Sequence, residues 1–210
     1  ESSADCRRGV PVREMGKNNQ QEGSEAMKLY SIGHSNRSSD ELIDMLKRHG
    51  IGCLVDVRSR PGSARFRQFN RPTLERALTQ AGIQYQWEGD NLGGWRSATP
   101  DDVKHRVLNP GFRSYAAYME TPDFREAVEQ ILRLARICRT AFMCAEKDPS
   151  CCHRSLISDY LTVRGHIVEH LIVPNESCRH DLHSAARIVG SRLIYDRIQQ
   201  NLELFAPDVT

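Results

Sequence analysis

"TAFMCAEKDPSCCHRSLISDYLTVRGHIVEHLIV", residues 140–173, decides the fold. Its first five residues, Thr140 to Cys144, are apolar enough for a buried strand. A polar loop follows, and then "HRSLISDYLTVRG" reads as a helix closed by Gly165. "HIVEHLIV" is a second strand. Strand, helix and strand in that order form the crossover that joins parallel strands. The same alternation runs upstream. "KLYSIG" is a short buried strand, and "SSDELIDMLKRHG" a helix with Ser38 and Glu41 as a capping box and Leu42, Ile43 and Leu46 on one apolar face. "CLVDV" is a continuous apolar strand of the kind covered on both sides. "PTLERALTQAG" is a short helix, "IQYQW" a third strand, and residues 88–111 a loop with Gly93 and Gly94 at its middle. "TPDFREAVEQILRLARIC" is the clearest helix, capped by Thr121 with Pro122 at its first position. The expectation is a single α/β domain with a mostly parallel open sheet flanked by helices, a Rossmann-like three-layer arrangement over residues 27–174.

Composition narrows the class. The 210 residues carry 29 Lys and Arg against 27 Asp and Glu, a net charge of +2, so any basic signal must be local. A hydrophobic share of 39% and a mean hydropathy of −0.55 suit a soluble globular chain. No apolar run approaches the roughly 18 residues of a membrane span, so no membrane role is expected. The first 26 residues lack the apolar core of a secretory signal and are poor in apolar residues, which predicts a disordered extension. Seven irregularly spaced cysteines without an export signal read as reduced thiols in a cytoplasm. Residues 175–210 form a C-terminal extension with a predicted helix around "SRLIYDRIQQNLELF", available to pack back or to mediate self-association into a homo-oligomer.

In open α/β sheets, ligands sit beyond the carboxyl ends of the strands. That rule gathers His34, Ser35 and Asn36 after the first strand, and Asp56, Arg58 and Arg60 at the second. It adds Cys144 and Glu146 at the fourth, with His153 and Arg154 at the helix start that follows. The loop "RSRPGSARFRQFNR" holds Arg58, Arg60, Arg65, Arg67 and Arg71 with no acid, interleaved with Phe66 and Phe69. Arginine forks suit phosphate and aromatic rings suit bases, so a phosphate-bearing small molecule or nucleic acid is the expected partner, against the alternative of a solvated loop. Asp56, inside a buried strand, needs partners, and holding Arg58 or the loop backbone would satisfy it. Tyr115 and Tyr118 read as core or rim residues, and Trp87 and Trp95 as an aromatic wall or as packing.

Three chemistries fit the cysteine-rich segment. A metal site would use Cys144, Cys151, Cys152 and His153, but three consecutive ligands require a sharp curl, so no metal or cofactor is expected. A thiol nucleophile would follow the logic of rhodaneses and cysteine phosphatases. The nine residues between Cys144 and Arg154 are too many for the phosphatase loop, and Cys144 could simply end its strand. A carboxylate mechanism would use Glu146 as base or nucleophile, with His34 or His153 as proton partner and Arg58, Arg60 and Arg154 on anionic oxygens. The plain counterpart is an ion pair from Glu146 to His153 or Arg154.

"SIGHSNRSSDELIDML", "LVDVRSRPGS", "AGIQYQWEGDNLGG", "FRSYAAYMETPDF" and "FMCAEKDPSCCHRSLISDYLTVRGHIVEHL" together resemble domain-of-unknown-function family 488, in order from about Tyr30 to Leu171. The resemblance implies a compact α/β domain and no settled reaction. It maps recurrent polar positions onto His34, Ser35, Asp56, Arg58, Pro61, Ser63, Gly93, Gly94, Cys144, Glu146, Cys152, His153 and Arg154, and leaves Cys151 outside. The leading expectation is a hydrolase or transferase acting on a nucleotide or nucleic acid through Glu146. A rhodanese-like thiol enzyme using Cys144 or Cys152 and a non-catalytic nucleic-acid-binding module are the alternatives.

Overall fold

The computed structural model describes residues 25–197, so the expectations for the N-terminal extension and for the chain after 197 lie almost wholly outside it. Its main sheet has six strands in the order β3-β2-β4-β1-β5-β6. These are β1 (Lys28–Gly33), β2 (Cys53–Asp56), β3 (Gln84–Trp87), β4 (Thr140–Cys144), β5 (Ile167–Val173) and β6 (Glu176–Arg179). The first five run parallel and β6 turns back antiparallel on β5, so the fold is α/β.

The strands are apolar on both sides because both sides are covered. Ile32, Leu54, Ala141 and Met143 point to one face, against Leu42, Met45 and Leu46 of α1 (Ser39–Arg48) and Leu74 and Leu78 of α2 (Arg71–Gln80). Leu29, Val55, Phe142 and Val168 point to the other. There they meet Tyr115 of α4 (Pro110–Tyr118), Phe124, Val128 and Ile131 of α5 (Pro122–Ile137), and Leu156, Ile157 and Leu161 of α6 (Arg154–Val163). The alternation along each strand is the two-residue period of a pleated sheet.

The predicted caps form. Ser38 Oγ accepts from Glu41 N at 3.1 Å while Glu41 Oε2 accepts from Ser38 N at 2.6 Å, and Thr121 Oγ1 accepts from Phe124 N at 3.3 Å. The stretch expected as loop contains α3 (Gly89–Leu92), a 3₁₀ turn over Pro100–His105 and the start of α4.

After residue 174 the chain adds β6 to the main sheet and then forms a hairpin of β7 (Ala186–Val189) and β8 (Arg192–Tyr195), so the start of the helix expected around residues 191–205 is a strand, and the rest of that stretch lies outside the described residues. Leu193 and Tyr195 are buried and alternate with Arg192 and Ile194, a strand period, and Gly190 turns the hairpin at φ +62°. Tyr195 joins the core against the α4–α6 face, so this segment belongs to the domain. Among the described residues, no helix is long and apolar enough to cross a membrane.

The topology fixes where a site can lie. β4 sits between β1 and β2, whose following helices cover one face, whereas α6, which follows β4, covers the other. Chains leaving neighbouring strand ends in opposite directions open a crevice at the carboxyl edge.

Candidate functional site

The crevice holds two connected lobes, of 580 and 400 Å³, that share Arg58, Arg60, Gly62, Ala145 and Glu146 along their boundary. Strand-end residues from β1, β2 and β4 line them, so the structure brings together most of the residues the sequence singled out. Their surroundings differ.

At the β2 end every polar group is matched. Asp56 is fully buried; its Oδ1 accepts from Arg58 N at 3.1 Å and Arg58 Nε at 2.8 Å. Its Oδ2 accepts from Arg58 Nη2 at 2.5 Å and from Tyr85 Oη at 2.8 Å. Arg58 Nη2 also donates to the Phe69 carbonyl at 2.9 Å, and Arg58 Nη1 donates to His34 Nε2 at 3.2 Å. His34 then carries its proton on Nδ1, which donates to the Ser35 carbonyl at 2.9 Å. Burial, followed by the Arg58 charge, lowers the His34 pKa to about 4, which keeps the ring neutral. The ring lies stacked on Phe69, with centroids 4.2 Å apart. Both nitrogens of His34 and four of the donor positions of Arg58 are therefore occupied from within the protein.

Ser35 is the one non-glycine among the described residues with positive φ, at +51°, and its N–H donates to the Ala145 carbonyl at 2.7 Å, which ties the β1 and β4 loops together. Gly33 is required at the same junction, since a Cβ there would come within 1.7 Å of the Glu146 carbonyl oxygen. Ser63 Oγ accepts from the backbone of Arg65 and Phe66 at 3.2 and 3.0 Å and so shapes the arginine loop. That loop is less free than its charge suggests. Arg60 stacks on Trp95, Arg65 on Phe66 and Arg71 on Trp87, with 4.9, 5.1 and 4.6 Å to the ring centroids. Of these, Arg60 lines both lobes, beside a Trp95 that is 69% exposed.

At the β4 end three soft groups converge. Cys144 Sγ is 3.8 Å and Cys152 Sγ 3.7 Å from the same atom, His153 Nδ1. His153 Nε2 donates to the Val57 carbonyl at 3.2 Å, so Nδ1 is turned to the thiols, and its ring packs beside Tyr115. Gly94 lets the loop pass close, because a Cβ there would lie 2.7 Å from His153 Nδ1; a Cβ at Gly93 would lie 2.2 Å from Ser59 Oγ. A hydrogen bond from Cys144, with His153 and the Arg154 charge behind it, holds the Cys152 thiol well below its ordinary range despite burial. The same contact, together with burial, pushes Cys144 up. The two thiols therefore titrate as a coupled pair, with Cys152 the more acidic member. Cys152 is 3% exposed and its neighbour Cys151 is exposed, and both line the larger lobe.

The ligand atoms of Cys144, Cys152 and His153 all lie within 4.8 Å of one another, a set that could hold a metal ion. Of the four ligands weighed, Cys144, Cys152 and His153 converge and Cys151 drops out, so the sharp curl expected from three consecutive ligands is not needed.

Arg154 is placed differently from its expected anion-binding role. It is fully buried, and donates to Ser31 Oγ at 2.8 Å and to the Glu146 carbonyl at 2.6 Å, bracing the loop after β4. No ion pair of the described residues joins Glu146 to His153 or Arg154; the Glu146 side chain is exposed where the two lobes meet. Sequence reasoning missed Ser31, Asp159, His170, His180 and Tyr195, which form a buried polar chain behind Arg154. Ser31, a polar residue in the middle of an apolar strand, was the available signal.

A search of curated proteins and a search of solved structures found no match. The family profile described as "Domain of unknown function DUF488" matches residues 38–161, a span that includes every residue of the thiol cluster. The chain belongs to the DUF488 family.

Proposed function

We propose that the chain is a thiol enzyme in which the Cys152 thiolate attacks an electrophilic centre of a substrate held in the two-lobed crevice. The observation that carries this reading is the convergence of Cys144 and Cys152 on His153 Nδ1 at the base of the larger lobe. In the step, His153 Nδ1 takes the Cys152 proton, the sulfur bonds to the electrophilic atom as that atom's bond to its leaving group breaks, and the leaving group departs with the electron pair and the proton returned from Nδ1. Arg60 and Trp95 at the mouth fit an anionic substrate with a flat unsaturated group, as a nucleotide or nucleic acid would present. A group-transfer reaction of the rhodanese kind uses such a thiolate.

Alkylation by iodoacetamide tests the reading. Mapped by mass spectrometry between pH 5 and 9, Cys152 should react with a midpoint well below the ordinary thiol value of about 8.5. Cys144→Ala should raise that midpoint by about one to two pH units, the equivalent of one hydrogen bond to a charged group. An ordinary midpoint at Cys152 in the unaltered chain would overturn the proposal.

A second reading rests on Glu146, the sole carboxylate among the described residues lining either lobe. There Glu146 would activate water or attack a glycosidic carbon. The two separate cleanly: Glu146→Gln abolishes turnover under the second reading while leaving the alkylation profile of Cys152 in place.

A further inference from the structure

Arg154 poses an unsolved charge problem. Its guanidinium is fully buried, its hydrogen-bond partners among the described residues are all neutral oxygens, and its Nε has none. A buried cation without a compensating charge is costly. On the same helix lies Asp159, also fully buried, five residues further on and hence about 7.5 Å along the axis on a different side.

A continuous line of hydrogen bonds joins them through two other strands. Arg154 Nη1 meets Ser31 Oγ on β1 at 2.8 Å, and Ser31 Oγ meets His170 Nδ1 on β5 at 3.0 Å. His170 Nε2 meets His180 Nδ1 at 2.9 Å, and His180 Nε2 meets Asp159 Oδ1 at 2.8 Å. Tyr195 Oη and the His183 N–H complete the carboxylate at 2.8 and 2.9 Å.

The donors in this line admit one direction that satisfies every atom. The guanidinium can only donate, so Ser31 Oγ accepts and turns its own proton to His170 Nδ1. His170 then donates from Nε2 to His180 Nδ1, and His180 donates from Nε2 to the carboxylate. Both rings are neutral in this arrangement, and burial lowers the His170 pKa to about 3, in keeping with it. In the reverse arrangement His180 is cationic and His170 donates from Nδ1. Ser31 Oγ then receives two donors, its own proton has no acceptor, and a second buried cation is added.

We propose that Asp159 is the counter-ion of Arg154, connected to it by the one-way relay Ser31–His170–His180. The two ends neutralise each other across the relay instead of in contact. Because Arg154 braces the loop carrying Glu146, Asp159, His170 and His180 are positioning residues for the site. That last link rests on the crevice being the reactive site; the relay itself does not. It also gives the segment after the matched span a role, since His170, His180 and Tyr195 all lie beyond residue 161.

Nitrogen-15 spectra of the histidine rings in the full chain test the relay directly. At pH 7, His170 and His180, assigned with His170→Gln and His180→Gln, should both be neutral with the proton on Nε2. A doubly protonated His180, or a His170 protonated on Nδ1, would overturn the proposal. Thermal unfolding supplies an independent measurement. Asp159→Asn and Arg154→Met should each lower Tm, and the double variant should lose at least about 3 °C less than the sum, since removing both charges removes the imbalance. Losses that add within about 1 °C would show that the two charges do not see each other. Neither readout depends on alkylation of Cys152, so failure here and failure of the thiolate reading remain distinguishable.

Discussion

The two corners of the crevice, at neighbouring strand ends, solve opposite problems. At the β2 end, Asp56, Arg58, His34 and Tyr85 satisfy one another, and the ion pair is buried. At the β4 end, two thiols that both line the larger lobe converge on one nitrogen, and Cys152 is held the more acidic of the two. A closed network stabilises and orders; an under-supplied one retains reactivity. The first corner thus acts as the frame on which the second is mounted, with Val57, between Asp56 and Arg58, fixing the His153 tautomer.

The largest expected effect comes from breaking the frame. Asp56→Asn keeps the shape but leaves Arg58 buried and uncompensated, which should cost about 3–5 kcal/mol. At roughly 2–4 °C per kcal/mol for a chain of this size, Tm should fall by about 6–20 °C. A Tm within 2 °C of the parent in a thermal melt would mean that Asp56 is not the keystone of this corner.

A smaller effect should appear on acidification. The His34 pKa lies at about 4 against an ordinary 6.5, so the folded state resists protonation that the unfolded chain accepts. The associated stability is complete above pH 6.5 and is lost as pH falls from 6.5 to 4, on the order of 3 kcal/mol in all. Denaturant titrations across that window should show His34→Gln losing less stability than the parent. Parallel curves for the two proteins would remove His34 from the frame.

Much of this arrangement was legible in the sequence because it is local. The Ser38–Glu41 and Thr121 caps, the apolar runs of β1, β2, β4 and β5, and the strand-end positions of His34, Asp56, Arg58, Cys144, Glu146, His153 and Arg154 all follow from short-range pattern plus one topological rule. The hold of Asp56 on Arg58, two residues away, was legible too, but the commitment of Arg154 was not: it carries the charge of an anion binder yet spends it inside the protein, through partners that only the register of β1 with β4 and β5 brings near. The strand at residues 192–195, where the helix was expected to begin, was missed for a related reason. "SRLIY" fits a helix or a strand equally over so few residues, and the buried contact of Tyr195 with Asp159, 36 positions away, favours the strand.

The smallest expected effect separates the neighbours Cys151 and Cys152. Cys151 closes the 3₁₀ turn Pro149–Cys151 and Cys152 follows it, and composition cannot tell them apart. The extended backbone at Cys152 turns its sulfur inward to His153, whereas the Cys151 side chain is exposed, with its sulfur 3.9 Å from Ser150 Oγ. Cys151→Ser should therefore change stability by less than about 0.5 kcal/mol, as for an ordinary surface position. It should also leave the alkylation midpoint of Cys152 unchanged, since neither Cys144 nor His153 Nδ1 loses a partner. A shift of that midpoint by half a pH unit or more would show that the under-supplied corner extends to the surface thiol, and that three sulfurs titrate together instead of two.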